Sequence, residues 1–211
     1  MQLTWYFDFI SPFAYLQLQR FQELPESVNV VYKPILFAGL LNHWQNVGPA
    51  EIVPKRQFTY QFCYWYARKN NVPFKMPPAH PFNSLFALRL AVALGNQLSV
   101  IQTIFNGIWR YGYALESIEA MRYFEEQFAR DDLAELVSQA SVKEQLKHNT
   151  QLAAEQQVFG VPTFTVADGQ ENFWGLDAFD MLVDFIQSPQ SFNDEEMLRV
   201  KSLPEGIQRK R

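Results

Sequence analysis

The 211-residue chain reads as an α/β protein whose two sheet-forming ends bracket a long helical block. Three observations predict this. A strand–helix–strand unit opens the chain, which is a βαβ unit with a parallel strand pair. A β-rich run near residue 160, a turn and a second short run lead into an amphipathic helix at the other end. Between them, apolar residues recur at helical spacing, punctuated by Gly and Pro.

The first strand is carried by Leu3, Trp5, Phe7 and Phe9, which alternate with Thr4, Tyr6 and Asp8. Ser11 is a good helix N-cap, and Pro12 suits the first helical position because its missing N–H is not needed there. Ala14, Leu18 and Phe21 continue at helical spacing. Ser11 therefore sits at a strand-to-helix junction, among free backbone N–H groups where an anion is stabilised. Ser11 as a plain helix cap is the simpler alternative. Val28 to Pro34 forms the second strand, ended by Pro34.

Residues 34–41 then lead into the helical block. Asn42 to Arg56, with Gly48-Pro49 and Pro54, is expected to be a long polar loop. Phe58, Phe62 and Trp65 predict a helix ending near Asn70-Asn71, with the aromatic stripe in the core and Cys63 a buried structural thiol. Pro73, Pro77, Pro78 and Pro81 make residues 72–82 an extended loop, in which His80 reads as packed or solvated rather than catalytic. Leu85/Leu88/Val92, Ile101/Phe105/Ile108 and Met121/Phe124/Phe128 mark three further helices. Leu133–Val137 and Val142–Phe159 continue helically, and Gly160 is expected to close the last of these as a C′ glycine. After the strand 161–166, Asp168-Gly169 reads as a hairpin turn and Glu171 to Trp174 as the returning strand. Gly175-Leu176-Asp177 starts the final helix, which buries Phe179, Leu182, Val183 and Ile186, and a polar tail follows Ser188.

Composition narrows the function. The net charge of −4 argues against broad nucleic-acid or membrane binding. No apolar run is long enough to span a bilayer, and the N-terminus lacks a signal-peptide pattern. The single cysteine, Cys63, excludes an intramolecular disulfide and a Cys-x-x-Cys redox pair. Together these lead us to expect a soluble protein of a reducing compartment, most simply the cytoplasm. No clustered Cys/His set or glycine-rich phosphate loop supports a metal or nucleotide site. A serine hydrolase is disfavoured, because no Gly-x-Ser-x-Gly elbow surrounds Ser11 and the only histidines are His43, His80 and His148.

The junction Ser11-Pro12-Phe13-Ala14 resembles the active-site turn of thioredoxin-like proteins, with both cysteines of Cys-x-x-Cys replaced. The location that stabilises a thiolate is kept without a thiol, so the economical reading is a sulfur supplied by glutathione. The string Asp-Phe-Ile-Ser-Pro-Phe-Ala-Tyr, residues 8–15, resembles the signature of kappa-class glutathione transferases and 2-hydroxychromene-2-carboxylate isomerases, the glutathione-using branch of the DsbA-like superfamily. Gly160-Val161-Pro162-Thr163-Phe164 resembles the segment that carries the cis-proline opposite this turn. The resemblance covers all but the tail. It implies a thioredoxin-like fold (DsbA-like) with a large all-helical insertion: residues 1–40 and 151–190 form the thioredoxin-like domain, 41–150 the insertion and 191–211 the tail.

The resemblance also implies roles. Ser11 is the catalytic residue, donating to the glutathione sulfur, and Val161 and Pro162 pair with the tripeptide backbone. Phe173 to Asp177 resembles the segment that holds the γ-glutamyl end. Asp177 matches the family aspartate, Leu176 offers only its backbone N–H where many relatives have a polar side chain, and Ala178 replaces an arginine. Lys55, in Pro54-Lys55, is placed to pair with a glutathione carboxylate, and Asn46 and Gly48 lie where relatives carry a Gly-Asn pair near the thiol. Asn83 reads as structural. The activity implied is glutathione-dependent isomerisation or transfer on an aromatic or conjugated carbonyl compound, of the kind met in aromatic catabolism, by a homodimer. The alternative is a non-catalytic thioredoxin-like binding module that holds a peptide at the cis-proline edge.

Overall fold

The computed structural model describes residues 1–166 and 169–207; Asp168 of the expected turn and residues 208–211 of the tail lie outside them. Four strands form one mixed sheet in the order β2-β1-β3-β4, with β1 Gln2–Phe7, β2 Asn29–Pro34, β3 Thr163–Val166 and β4 Glu171–Trp174. β1 and β2 are parallel, in register from Gln2↔Asn29 to Phe7↔Pro34. β3 runs antiparallel to both of its neighbours, with Trp5 opposite Phe164 and Phe164 opposite Phe173.

The alternation in β1 divides the core in two. Leu3, Trp5 and Phe7 face an aromatic layer: Trp5 stacks on Phe7 with ring centroids 4.4 Å apart and meets Phe21 edge-on at 4.8 Å. Helices α1 (Pro12–Leu18) and α9 (Phe179–Gln187) contribute to this side, together with Phe105 from α5 (Leu98–Phe105). Tyr6 points to the other face, where Ile35, Leu40, Ala153 and Val158 form a smaller cluster under α2 (Phe37–His43) and α8 (Ala140–Glu155). The remaining helices of the block are α3 (Val53–Lys69), α4 (Leu85–Ala93), α6 (Ile118–Phe128) and α7 (Leu133–Ser138), all between β2 and β3.

Several expectations are corrected. β1 stops at Phe7, because the backbone turns at Asp8 to reach Ser11. The expected loop 42–56 is shorter: α2 runs to His43 and α3 begins at Val53, with Pro54 tolerated in its first turn. The aromatic stripe of α3 is not core. The helix buries its small residues Thr59, Cys63 and Ala67, while Phe58 is 66% and Trp65 53% exposed. Small side chains let the helix pack closely on α1, with Phe62 at the edge of the core and Phe58 and Trp65 outside it. Cys63 is a buried free thiol, and burial pushes its pKa up to about 12, so it is inert. α8 ends at Glu155 with Gln157 at φ 59°, so Gly160 does not close it. A Cβ at Gly160 would instead run into the Trp174 indole. α9 starts at Phe179, not at Gly175, whose φ of 92° belongs to a preceding turn. It buries Phe179, Leu182 and Phe185. The tail is anchored: Phe192 packs on Phe173 and Phe185, and Lys201 pairs with Glu171 at 2.5 Å. Between these points the tail forms helix α10 (Glu195–Val200).

Candidate active site

Ser11 ends the turn between β1 and α1. It is only 7% exposed, and its Oγ accepts the Ala14 N–H at 3.2 Å as the N-cap of α1. Its hydroxyl proton points to the Val161 carbonyl at 3.5 Å, the outer limit of a hydrogen bond. The hydroxyl thus has a firm acceptor duty and a weakly engaged proton, which an incoming acceptor can take over at little cost.

The turn itself is held by pairings that sequence reasoning did not predict. The Asp8 carbonyl accepts the Ser11 N–H at 3.0 Å. The Phe9 carbonyl accepts Trp109 Nε1–H at 2.8 Å, and the Ile10 carbonyl lies 2.8 Å from His80 Nε2. Trp109 reaches the turn from a single π-helical stretch, Asn106–Arg110, that follows α5. Such a stretch re-aims a side chain inside an otherwise regular helix. His80 Nε2 must carry the proton, because a carbonyl only accepts; Nδ1 is then the acceptor for the Tyr60 hydroxyl, 2.7 Å away. Burial, chiefly, holds His80 below the ordinary histidine pKa, so the ring is neutral and its tautomer set. His80 is therefore packed, as expected, and it positions Ile10 beside Ser11.

Asp8 is fully buried and holds the turn from beneath. Its Oδ1 accepts the Ile10 N–H at 3.0 Å and its Oδ2 the Phe37 N–H at 2.9 Å, so one carboxyl joins the turn to the start of α2. Burial raises its pKa from 3.8 to about 6, against the opposing hydrogen bonds from Phe37, Ile10 and Ser84.

The opposite wall is the Val161-Pro162 peptide, which is cis. Val161 lies just outside β3, and its N–H has no hydrogen-bond partner among the described residues. Thr163 Oγ1 donates to the Gly160 carbonyl at 2.7 Å and steadies the approach to it. The Gly175 N–H donates to the Pro162 carbonyl at 2.8 Å, and Gln17 Nε2 of α1 donates to the Gly175 carbonyl at 2.8 Å. Gln17 in turn accepts from Trp5 Nε1 at 2.7 Å. This relay ties α1, the cis-proline and the 175–177 turn into one unit.

Ser11, Val161, Pro162 and the Leu176–Asp177 turn are thus brought together. The Leu176 side chain is buried in the core, so only its backbone can serve a ligand, whereas the Asp177 carboxyl is exposed. Asn46 and Lys55 are exposed on the segment between α2 and α3 and on the first turn of α3, and make no hydrogen bond to the Ser11 unit. Asn83 accepts the Leu85 N–H at 3.0 Å, a structural duty at the start of α4. From Phe13, the residue after Pro12, a ladder of rings runs outward: Phe13–Phe62 at 6.0 Å, Phe62–Trp65 at 5.8 Å and Phe62–Phe58 at 6.2 Å. The misread face of α3 therefore lies beside the turn.

The DSBA-like thioredoxin domain family matches residues 2–187. The chain belongs to this DsbA-like family. Within it, a 2-hydroxychromene-2-carboxylate isomerase of Pseudomonas sp. (strain C18) is 28% identical over 187 residues, covering 85% of this chain and 87% of that one. Glutathione S-transferase kappa 2 of Caenorhabditis elegans is 26% identical over 207 residues, covering 89% and 92%. The solved structure of a 2-hydroxychromene-2-carboxylate isomerase superposes with a TM-score of 0.76 at 24% identity, covering 93% of this chain and 99% of that one. Thus the DsbA-like fold read from the two motifs stands, and the family's relatives here are isomerases and kappa-class transferases. Among the described residues, no helix is long and apolar enough to cross a membrane.

Proposed function

We propose that this protein is a glutathione-dependent isomerase or transferase of the 2-hydroxychromene-2-carboxylate isomerase type, acting on an aromatic or conjugated carbonyl compound. The observation that carries this is the pairing of Ser11 with Val161. A lightly engaged hydroxyl faces a peptide unit whose N–H is free and whose carbonyl has only a 3.5 Å contact. That pair fits a small peptide bearing a thiol: the free N–H and carbonyl suit a peptide backbone, and the hydroxyl suits the sulfur beside it. Bound glutathione would supply the sulfur nucleophile, because the thiolate is the reactive form.

The chain's own residues would do the rest. Ser11 turns its proton from Val161 to the sulfur and stabilises negative charge there. α1 has only seven residues, so its dipole is a secondary contribution beside this hydroxyl. The cradle of Asp8, Trp109 and His80 keeps the turn from moving as charge develops, which is the preorganisation electrostatic stabilisation requires. Asp177 accepts from the ammonium end of the tripeptide, Lys55 pairs with one of its carboxylates, and Asn46 lies near the thiol. The Phe13–Phe62 ladder offers faces for a flat, conjugated substrate. The reading includes a homodimer, which sedimentation or light scattering would show.

The test follows the ultraviolet thiolate absorbance of bound glutathione as pH is varied. A thiol pKa well below its ordinary value of about 8.5 is expected. An unshifted thiol, or no binding, overturns the proposal. The free Val161 edge also suits a non-catalytic peptide-binding module. Ser11→Ala separates the two: it abolishes activity under the enzymatic reading and leaves peptide capture intact under the other.

A further inference from the structure

Between α2, α4 and α8 lies a cleft of about 640 Å³. This falls within the range of small-molecule sites, roughly 300–1,000 Å³. Its walls are largely apolar, with Leu36, Leu85 and Leu146 prominent. Three cations also line it: Arg89 from α4, and Lys143 and Lys147, one turn apart on α8. None of the three makes an ion pair among the described residues, in a protein whose net charge is −4. Arg89 Nε is buried without a hydrogen-bond partner. A buried guanidinium N–H left unsatisfied is costly and uncommon.

The placement on α8 reinforces this. Lys143 occupies the first turn of a 16-residue helix, where the dipole favours a negative group and disfavours a lysine. Glu144, about 100° around the helix from Lys143 and about 60° from Lys147, does not line the cleft and pairs with neither lysine among the described residues. The cleft's one carboxylate, Glu155, is eight residues beyond Lys147, about 12 Å along the helix axis, and is occupied by Gln151 Nε2 at 2.9 Å. The cleft therefore has a cationic end, an apolar floor, and an acid only at its far end. His43 also faces it, from the last turn of α2.

We propose that this cleft is a second binding site, separate from the Ser11 unit, for a small amphipathic carboxylate. The carboxylate sits on the Arg89 guanidinium fork, flanked by Lys143 and Lys147, and an apolar body lies on Leu36, Leu85 and Leu146. Arginine suits this role because its planar fork matches a carboxylate in a bidentate pair.

The test titrates the full chain with 1-naphthoate and with its neutral isostere 1-naphthamide, by calorimetry and backbone-amide NMR. Saturable naphthoate binding is expected, with shifts centred on Leu85, Leu146 and Leu36, and naphthamide binding about tenfold weaker or more. Arg89→Gln should weaken naphthoate about tenfold, and the exposed charge reversal Lys147→Glu should weaken it in a salt-dependent way. Lys147→Glu keeps the test decisive if Arg89→Gln does not fold. Ser11→Ala should leave naphthoate binding unchanged, so failure of the glutathione reading leaves this site standing. Equal binding of naphthamide, an unaltered affinity in Lys147→Glu, or displacement of naphthoate by glutathione from the Ser11 unit overturns the proposal.

Discussion

Around Ser11, the carbonyls of residues 8, 9 and 10 are each taken up by a specific donor: the Ser11 N–H, the Trp109 indole and the His80 imidazole. Around Lys55 and Asn46, by contrast, the side chains are exposed, and among the described residues the one hydrogen bond these two side chains make is the local one from Val47 N–H to Asn46 Oδ1. The first region is rigid in the sense catalysis needs, with backbone groups locked by buried partners from distant parts of the chain. The second lies at the surface, on the segment after α2 and the first turn of α3, and the Asn46 and Lys55 side chains have no buried hydrogen-bond partner among the described residues. The turn where charge would develop under the proposed reading is thus preorganised, and the exposed side chains of Asn46 and Lys55 are not. Energy spent on rigidity raises turnover when it acts at the reacting centre.

The sharpest way to break this contrast is Ser11→Ala. Loss of a preorganised donor at a developing anion lowers kcat/KM by about 10²–10³-fold. The variant also loses the α1 cap, about 1 kcal/mol of stability. Ser11→Thr keeps both the hydroxyl and the cap and should retain most of the activity. Steady-state kinetics with glutathione present would show it, and near-wild-type turnover in Ser11→Ala would place the chemistry elsewhere.

Asp8 and His80 sharpen the rigid side through pH. The folded pKa of Asp8 is raised to about 6, so the folded state binds the proton more tightly than the unfolded chain. The stability this favours is present at low pH and is lost as pH rises from about 4 to about 6, by on the order of 3 kcal/mol. His80 has the opposite sign. Its folded pKa lies below the unfolded value, so its contribution is lost as pH falls below about 6.5. Asp8→Asn should remove the first slope and leave the second, and His80→Phe the reverse, in urea unfolding measured across this range. Asp8→Asn should also cost about 1–3 kcal/mol, because the amide NH₂ must face one of the N–H groups of Ile10 or Phe37.

Effects on the exposed side are smaller. Phe62→Ala removes the hub of the ring ladder. It should raise KM for an aromatic substrate several-fold with kcat little changed, the value of one or two aromatic contacts. Lys55→Ala should raise KM for glutathione only about two- to fivefold, and less at high salt, as for an exposed ion pair. A loss in Lys55→Ala as large as that in Ser11→Ala would erase the distinction between the two ends.

Much of this was legible in the chain itself. The alternation of Leu3, Trp5 and Phe7, the Ser11-Pro12 helix start and the Val161-Pro162 break each act over a few residues, so local rules reveal them. The helix boundaries at His43 and Val53 were less visible, because Gly48, Pro49 and Pro54 are compatible with either a loop or a helix start. The orientation of α3 was misread for a physical reason: hydrophobic spacing shows that a helix has an aromatic face, but not whether that face or the one with Thr59, Cys63 and Ala67 meets the rest of the core.

By itself, then, the sequence determined the strand pattern, the cysteine-free turn and the second motif 150 residues away that complements it. Only the tertiary structure decided that Trp109 and His80 hold Phe9 and Ile10, that Asp8 joins the turn to α2, and that Arg89 stands over a cleft with Lys143 and Lys147. Those partners are separated by 29 to 100 residues or lie on different helices. No local propensity encodes such pairings; they arise when packing of the whole core fixes which polar groups must satisfy one another away from water.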